Sequence, residues 1–437
     1  MGLTRLPSAG WCLPALLWIL QVASQGRAEE GWPQFRGPRG DGTATAAELP
    51  LVWSETNNLA WKAALPGLGR SSPVVLGDHI WVTTALARGE RRTRIGPDDM
   101  RTAEHVTLEA MCLSGADGKA VWETAIFEVD QPAPAHWLNS WATPTPVVEP
   151  GYLYCDFGTY GTSAIDAKTG NILWQRRLPL DHQVGPGSSP VLWQNLLLLV
   201  RDGRDAQYVT ALEKETGRTV WKTDRPPIDT PTTDLRKSFS TPLLVGGDGR
   251  TQMIAAGPHW IVSYDPATGR EIWRVRHGQG FSFGSCPAFG HGLVFFSTGC
   301  FEAQLWAVSV GGEGDVTSTR VAWKCQGQIP VMSSPVLGGD ELYWVSDDGI
   351  ACCVDARSGA RHWRERLGGT YLASPLCAAG RVYFFGRDGK ATVVKAGKKF
   401  ERLAENFLTG PLAATPALVE GTIFLRTDTH LYRIGRP

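Results

Sequence analysis

One short pattern occurs eight times along this chain and leaves few folds open to it. It is a small residue followed by proline, two apolar residues, a polar or glycine-containing turn, and another apolar run. The copies are Ser72-Pro73-Val74-Val75, Thr145-Pro146-Val147-Val148, Ser189-Pro190-Val191-Leu192, Thr241-Pro242-Leu243-Leu244, Cys286-Pro287-Ala288-Phe289, Ser334-Pro335-Val336-Leu337, Ser374-Pro375-Leu376-Cys377 and Thr415-Pro416-Ala417-Leu418. Proline has no amide donor, and at the first residue of a strand that loss falls where the ladder has not yet begun. The turn behind each pair then returns the chain as a hairpin.

A second pattern alternates with the first: a short strand, a turn ending in Gly, and a strand reaching Trp. It is clearest in Ala164-Ile165-Asp166-Ala167-Lys168-Thr169-Gly170-Asn171-Ile172-Leu173-Trp174, and other copies end at Trp122, Trp221, Trp273, Trp323 and Trp363. The Asp carboxylate accepts from turn amides, the Gly supplies positive φ, and the indole covers the hairpin with a large apolar surface. The turn before Trp323 is enlarged by residues 311–319, and the seventh copy ends in Phe400 instead of Trp.

Each repeat therefore holds four strands, A and B from the first pattern, C and D from the second. Its period of about 40 to 52 residues is that of a propeller blade. The eighth copy stops at Leu431-Tyr432-Arg433-Ile434 with three strands, while Leu59-Ala60-Trp61-Lys62 near the start is a D strand to spare. The expectation is an all-β fold over residues 59–437, an eight-bladed β-propeller of four-stranded antiparallel blades. The N-terminal strand carrying Trp61 would complete the last blade and close the ring. Residues 29–58 form an N-terminal extension.

Residues 1–28 read as a secretory signal peptide. Arg5 precedes an apolar run from Trp11 to Ala23, and small residues follow at Ser24, Gly26 and Ala28. The run is short for a spanning helix and contains Pro14, so no transmembrane segment is expected after cleavage, and the mature chain is expected in the periplasm or outside the cell. The 43 basic residues balance the 43 acidic ones, which gives no field favouring nucleic acid. No C-x-x-C occurs, and no H-E-x-x-H or G-x-S-x-G signature appears in the strand and helix context its chemistry needs, so no catalytic or metal-binding set is assigned. The sequence leaves the oligomeric state open.

These patterns, over residues 59–434, resemble the pyrroloquinoline-quinone (PQQ) type, quinoprotein alcohol dehydrogenase-like propeller repeat. The segment Trp32-Pro33-Gln34-Phe35-Arg36-Gly37-Pro38 is similar to the opening of secreted propeller proteins from planctomycete-like bacteria, as are Asn139-Ser140-Trp141-Ala142-Thr143-Pro144-Thr145-Pro146 and Phe157-Gly158-Thr159-Tyr160-Gly161-Thr162. The resemblance implies the fold and two classes of function. One is an exported non-enzymatic scaffold that binds a protein, glycan or small ligand, as the scaffolds of outer-membrane protein assembly do. The other is a PQQ-dependent dehydrogenase of alcohols or sugars, with PQQ and calcium as cofactors. Such dehydrogenases carry a vicinal disulfide over the quinone, which draws attention to Cys352-Cys353. Here the pair falls inside the strand Ile350 to Asp355, where adjacent side chains point to opposite faces, so a bridge between them is not expected. No calcium-holding Glu, Asn and Asp set matches.

In a four-stranded blade the A-to-B and C-to-D turns share one end, and the B-to-C and D-to-A connections share the other. That second face should gather Arg70, the arginine-rich insertion at residues 88–104, His136, Trp137, Asn139, Trp141, Arg236, Lys237, Phe283, Glu302 and Tyr371. Such aromatic and cationic groups can hold a planar anion by stacking and paired hydrogen bonds. The turns Arg201-Asp202-Gly203, Asp347-Asp348-Gly349 and Arg387-Asp388-Gly389 read as structural.

Overall fold

The computed structural model describes residues 1–2, 31–45, 48–278 and 280–435, and the leader expected at residues 1–28 falls almost wholly outside them. The fold is all-β. Apart from two single turns of 3-10 helix, Gly158–Tyr160 and Thr233–Arg236, the described residues form only strands and their connections. Eight sheets contain four antiparallel strands each; five take them consecutively from the chain, and in the first and fifth only the insertions at residues 91–102 and at Gly314–Asp315 intervene. The second is typical, with Val147–Glu149, Tyr152–Asp156, Thr162–Asp166 and Ile172–Arg176. The last sheet orders Ala417–Val419, Thr422–Arg426 and His430–Ile434 and then takes Leu59–Ala64 as its outer strand. Trp61 lies opposite Arg433 and Ala63 opposite Leu431. Middle strands such as Leu293–Ser297 are buried on both faces because the sheets stack face to face, while outer strands such as Thr219–Asp224 alternate.

The residue before each repeated proline does more than be small. In seven of the eight, all but Ser72, its side chain accepts a hydrogen bond from the equivalent amide of the preceding sheet. Ser72 N donates to Thr145 Oγ1, Thr145 N to Ser189 Oγ, and Ser189 N to Thr241 Oγ1, each at 2.9 Å. Thr241 N then donates to Cys286 Sγ at 3.1 Å. Cys286 N to Ser334 Oγ, Ser334 N to Ser374 Oγ and Ser374 N to Thr415 Oγ1 follow at 2.9 Å. Every residue in this belt is buried.

Farther out, the repeated tryptophans join the same neighbours. Trp61 Nε1 donates to Gly115 O at 2.9 Å, and Trp122, Trp174, Trp221, Trp323 and Trp363 donate to Ala167, Lys214, Pro266, Ala356 and Gly397 carbonyls at 2.7 to 3.1 Å. Five of these indoles lie on the turn glycines Gly118, Gly170, Gly217, Gly269 and Gly359, where a Cβ would come within 2.4 to 2.8 Å of its neighbours. The same glycines hold φ between 68° and 77°, so the turn and the docked ring both require Gly. Trp273 is the exception. It is fully buried and donates to Gln252 Oε1 of its own sheet, because the enlarged turn at Gly314–Asp315 pairs alongside it.

The extension crosses from one side of the inner strands to the other. Trp32 exchanges two hydrogen bonds with Val75 in the first sheet, and Pro33 O accepts from Val148 N in the second. Arg36, 0 % exposed, donates through Nη2 to Pro335 O at 2.6 Å and Asp41 O at 2.8 Å. Thr43–Ala44 then pairs in parallel with Cys377–Ala378 in the seventh sheet. Trp53 N and Leu51 O both bind the Asn406 side chain before the chain enters Leu59–Ala64.

The half-buried indole of Trp61 carries a specific expectation. Trp61→Ala should lower unfolding free energy by about 2 to 4 kcal/mol, less than the full range for a wholly buried aromatic. Gly118→Ala should also destabilise, by denying the indole its seat. Denaturant unfolding of both variants beside the parent checks this, and coincident curves would show that the docked ring contributes nothing.

Candidate functional site

The D-to-A linkers surround a cavity of about 840 Å³. Its walls are largely apolar, with Leu138, Val184, Phe239, Phe281, Phe301 and Leu372 among them. Phe35 of the extension and the belt residues Thr145, Ser189, Thr241, Ser374 and Thr415 also line it. Phe35 borders this cavity and also a separate cleft of about 300 Å³ against the inner strands of the third to fifth sheets, so the extension stands between the two. The larger cavity is therefore a cup with the extension across its floor. Leu138, Phe301 and Met332 keep 38 %, 80 % and 37 % of their surface exposed, which gives the cup an apolar rim.

Of the residues expected on this face, Arg70, His136, Asn139, Lys237 and Tyr371 line the cup. Arg70 is buried, with Nη2 3.6 Å from Asp428 Oδ2 and with Nε and Nη1 unpartnered. Burial pulls its pKa below the usual arginine range, Asp428 opposes this, and Arg387 and Arg101 reinforce it. Lys237, on another wall, donates to Gln183 Oε1, and its pKa is also lowered, chiefly by burial. His136 is held down by burial and accepts at Nδ1 from Leu138 N at 3.1 Å. Asn139 is a brace: its Nδ2 donates to Val184 O and Pro186 O, and its Oδ1 accepts from Ser140 N.

The other expected residues lie elsewhere. Phe283 is 0 % exposed in the core between the fourth and fifth sheets, because its linker turns that ring inward. Trp141 is buried and donates to Ala133 O at 2.8 Å. Trp137 lies beneath the guanidinium groups of Arg92 and Arg101, 4.9 and 4.2 Å from its ring, in support of the inserted hairpin Arg91–Ile95 and Asp98–Thr102. The insertion's arginines are themselves paired, Arg92 with Asp99 at 2.6 Å and Arg101 with Glu90. Arg236 ends the 3-10 turn Thr233–Arg236 outside the cup lining, and Glu302 borders a separate depression with Gln328 and Asp348.

Two turns read as structural contribute to the cup, through Asp347 and Arg387. The third behaves as read: Arg201 forms a fully buried pair with Asp156 at 2.6 Å, and Asp202 faces Arg225 at 3.3 Å, its pKa pushed up to about 6 by burial. Behind Arg70, Arg426 gives Nη1 to Ser71 O, Ser71 Oγ and Thr83 O, and burial pushes its pKa down to about 9.

A family model described as outer membrane protein assembly factor BamB, of the PQQ-like repeat class, matches residues 43–200, 205–330 and 259–399. The chain belongs to this PQQ-like repeat family. It is a PQQ-type β-propeller protein, and its similarity extends to both functional branches. Quinoprotein alcohol dehydrogenase PedH of Pseudomonas putida is 25% identical over 219 residues, which are 45% of this chain and 35% of that protein. The match thus spans about a third of the relative's length. Among solved structures, BamB from Moraxella catarrhalis superposes with a TM-score of 0.54 at 14% identity, covering 80% of this chain and 98% of that one. Quinohemoprotein alcohol dehydrogenase ADHIIG from Pseudomonas putida gives 0.59 at 12% identity, covering 93% and 81%. At these identities the likeness establishes the propeller fold alone.

Among the described residues no three His, Cys, Asp or Glu side chains gather as metal ligands, whereas calcium takes six to eight oxygens. Cys352 and Cys353 are free thiols packed in two different core clusters on opposite faces of their strand, and burial pushes both up to about 12.

Buried histidines give this region a pH dependence. His182, its ring tilted against Phe239, and His277 both have their pKa pushed down to about 4 by burial. The unfolded chain, titrating near pH ~6.5, binds more protons than the folded one between those values. Their contribution to stability is therefore complete above that range and lost as pH falls towards 4. Thermal melts across this window should show a falling midpoint, with a shallower slope in His182→Phe. A parent midpoint independent of pH there would contradict the buried neutral state.

Proposed function

We propose that the eight sheets are the blades of a closed ring and that the protein is an exported, non-enzymatic binding propeller. Pairing of Leu59–Ala64 with His430–Ile434 and docking of Trp61 on Gly118 support the closure. The cup carries the functional reading. A concave, largely apolar cavity of this volume with a few convergent polar groups is the form of a ligand site, and its exposed apolar rim suits a protein or ligand surface laid over it. Export is supported by the leader-like start of the sequence and by the outer-membrane assembly description of the matching family. Among the described residues no helix is long and apolar enough to cross a membrane.

The similarity to PedH favours a second reading, a quinone-dependent dehydrogenase. Two measurements separate them. Nile red, a neutral apolar dye, should bind the full chain with enhanced fluorescence. Phe239→Glu, on the cup wall, should weaken it at least about tenfold, while Lys168→Glu on the opposite turns should leave it unchanged. The protein supplied with PQQ and calcium should show no alcohol-dependent reduction of an electron-accepting dye. Turnover in that assay, or dye binding indifferent to Phe239→Glu, would overturn the proposal.

A further inference from the structure

We infer that the cup receives an apolar monocarboxylate whose carboxylate group is held by Arg70 and Arg387. The inference rests on the cup being a ligand site and names the ligand's chemistry. Arg70 lies near enough to Arg387 and to Arg426 to interact with each, and Asp428 supplies the carboxylate that faces Arg70. Arg426 gives its Nη1 to Ser71 and Thr83 and, although its Nε is unpartnered, it is not among the residues that line the cup. Arg70 is 7% exposed, yet its Nε and Nη1 have no partner, and Arg387 Nε is likewise buried and unpartnered. Buried cationic donors left unpaired are costly, and the local excess of positive charge is relieved by an anion.

The walls decide what kind of anion. Phe239, Phe281 and Leu138 give the cup a surface that an inorganic ion would leave in contact with water, whereas a hydrocarbon body would cover it. A carboxylate presents two oxygens in one plane, which matches the fork of a guanidinium. At the deep end of the cup stands Phe35, carried by a segment that Arg36 pins to Pro335 O.

The test is equilibrium binding of decanoate to the full chain, by calorimetry and by displacement of Nile red, beside decanol and inorganic phosphate. Decanoate should bind at least about tenfold tighter than decanol, and phosphate should not compete. Arg387→Gln should cut decanoate affinity about tenfold and leave decanol unchanged, and Arg70→Gln should do the same if it folds, so the first variant keeps the test decisive. Equal binding of decanoate and decanol, or an indifferent Arg387→Gln, would overturn the inference. Phosphate competing as well as decanoate would do so too, as would tighter, Arg387-dependent binding of a peptide with an apolar free C-terminus. If Nile red still occupies the cup in a Phe239-dependent way while decanoate fails to displace it, the inference fails and the binding-propeller reading stands. Dye binding that ignores Phe239 removes both.

Discussion

A buried side chain that accepts from the backbone amide of the neighbouring sheet sets the spacing of this protein's interior. Seven such bonds link the residues that precede the repeated prolines, from Ser72 to Thr415. Each amide is shielded from water, so an alanine at the next position would leave it unpaired at a cost of about 1 to 3 kcal/mol. That requirement explains why the seven accepting positions are Ser, Thr or Cys and never Ala or Gly. With the inner strands fixed at one height, the D strands are brought to the distance at which an indole reaches the next turn. The belt residues also become part of the cup lining.

The two ends of the sheets are joined by different chemistry. Toward the C-to-D turns the joints are indoles on glycines, repeated with little change. Toward the linkers they are individual: Asp156 with Arg201 between the second and third sheets, Arg225, facing Asp202, with the Ala255 and Trp260 carbonyls between the third and fourth, Arg426 with Ser71 and Thr83 between the last and first. Buried pairs of this sort contribute less to stability than to fixing which groups meet. The linker end can thus vary its side chains without disturbing the repeated joints, and the cup is built there.

The strands were legible because their signals are local: proline at a strand start, glycine in a tight turn, tryptophan at a fixed offset. The spare strand around Trp61 was legible for the same reason. The cup was legible only in part. Arg70 and Lys237 precede the repeats and were expected on the linker face, but whether an aromatic in a linker turns inward or outward has no periodicity to reveal it. Phe239 and Phe283 occupy similar places before successive prolines, yet one faces the cup and the other the core. Arg387 looked like an ordinary turn residue because its role depends on Arg70, far away in the chain. The part played by Phe35 and Arg36 was hidden likewise, since the partner of Arg36 is Pro335. The overlooked local clue was the chemistry of the belt residues, where "small" concealed "able to accept a hydrogen bond".

The last sheet combines strands from near both ends of the sequence, and this governs the order in which the molecule can assemble. Seven sheets use neighbouring segments and can form as hairpins add to hairpins. Leu59–Ala64 must wait for His430–Ile434, the contact of greatest sequence separation and so of greatest loop-closure entropy. During synthesis the early strand emerges long before its partner and must remain unpaired, exposing the same edge that the finished sheet conceals. The step that completes the molecule is therefore its slowest pairing, and the interval before it is when a chaperone would have most to protect.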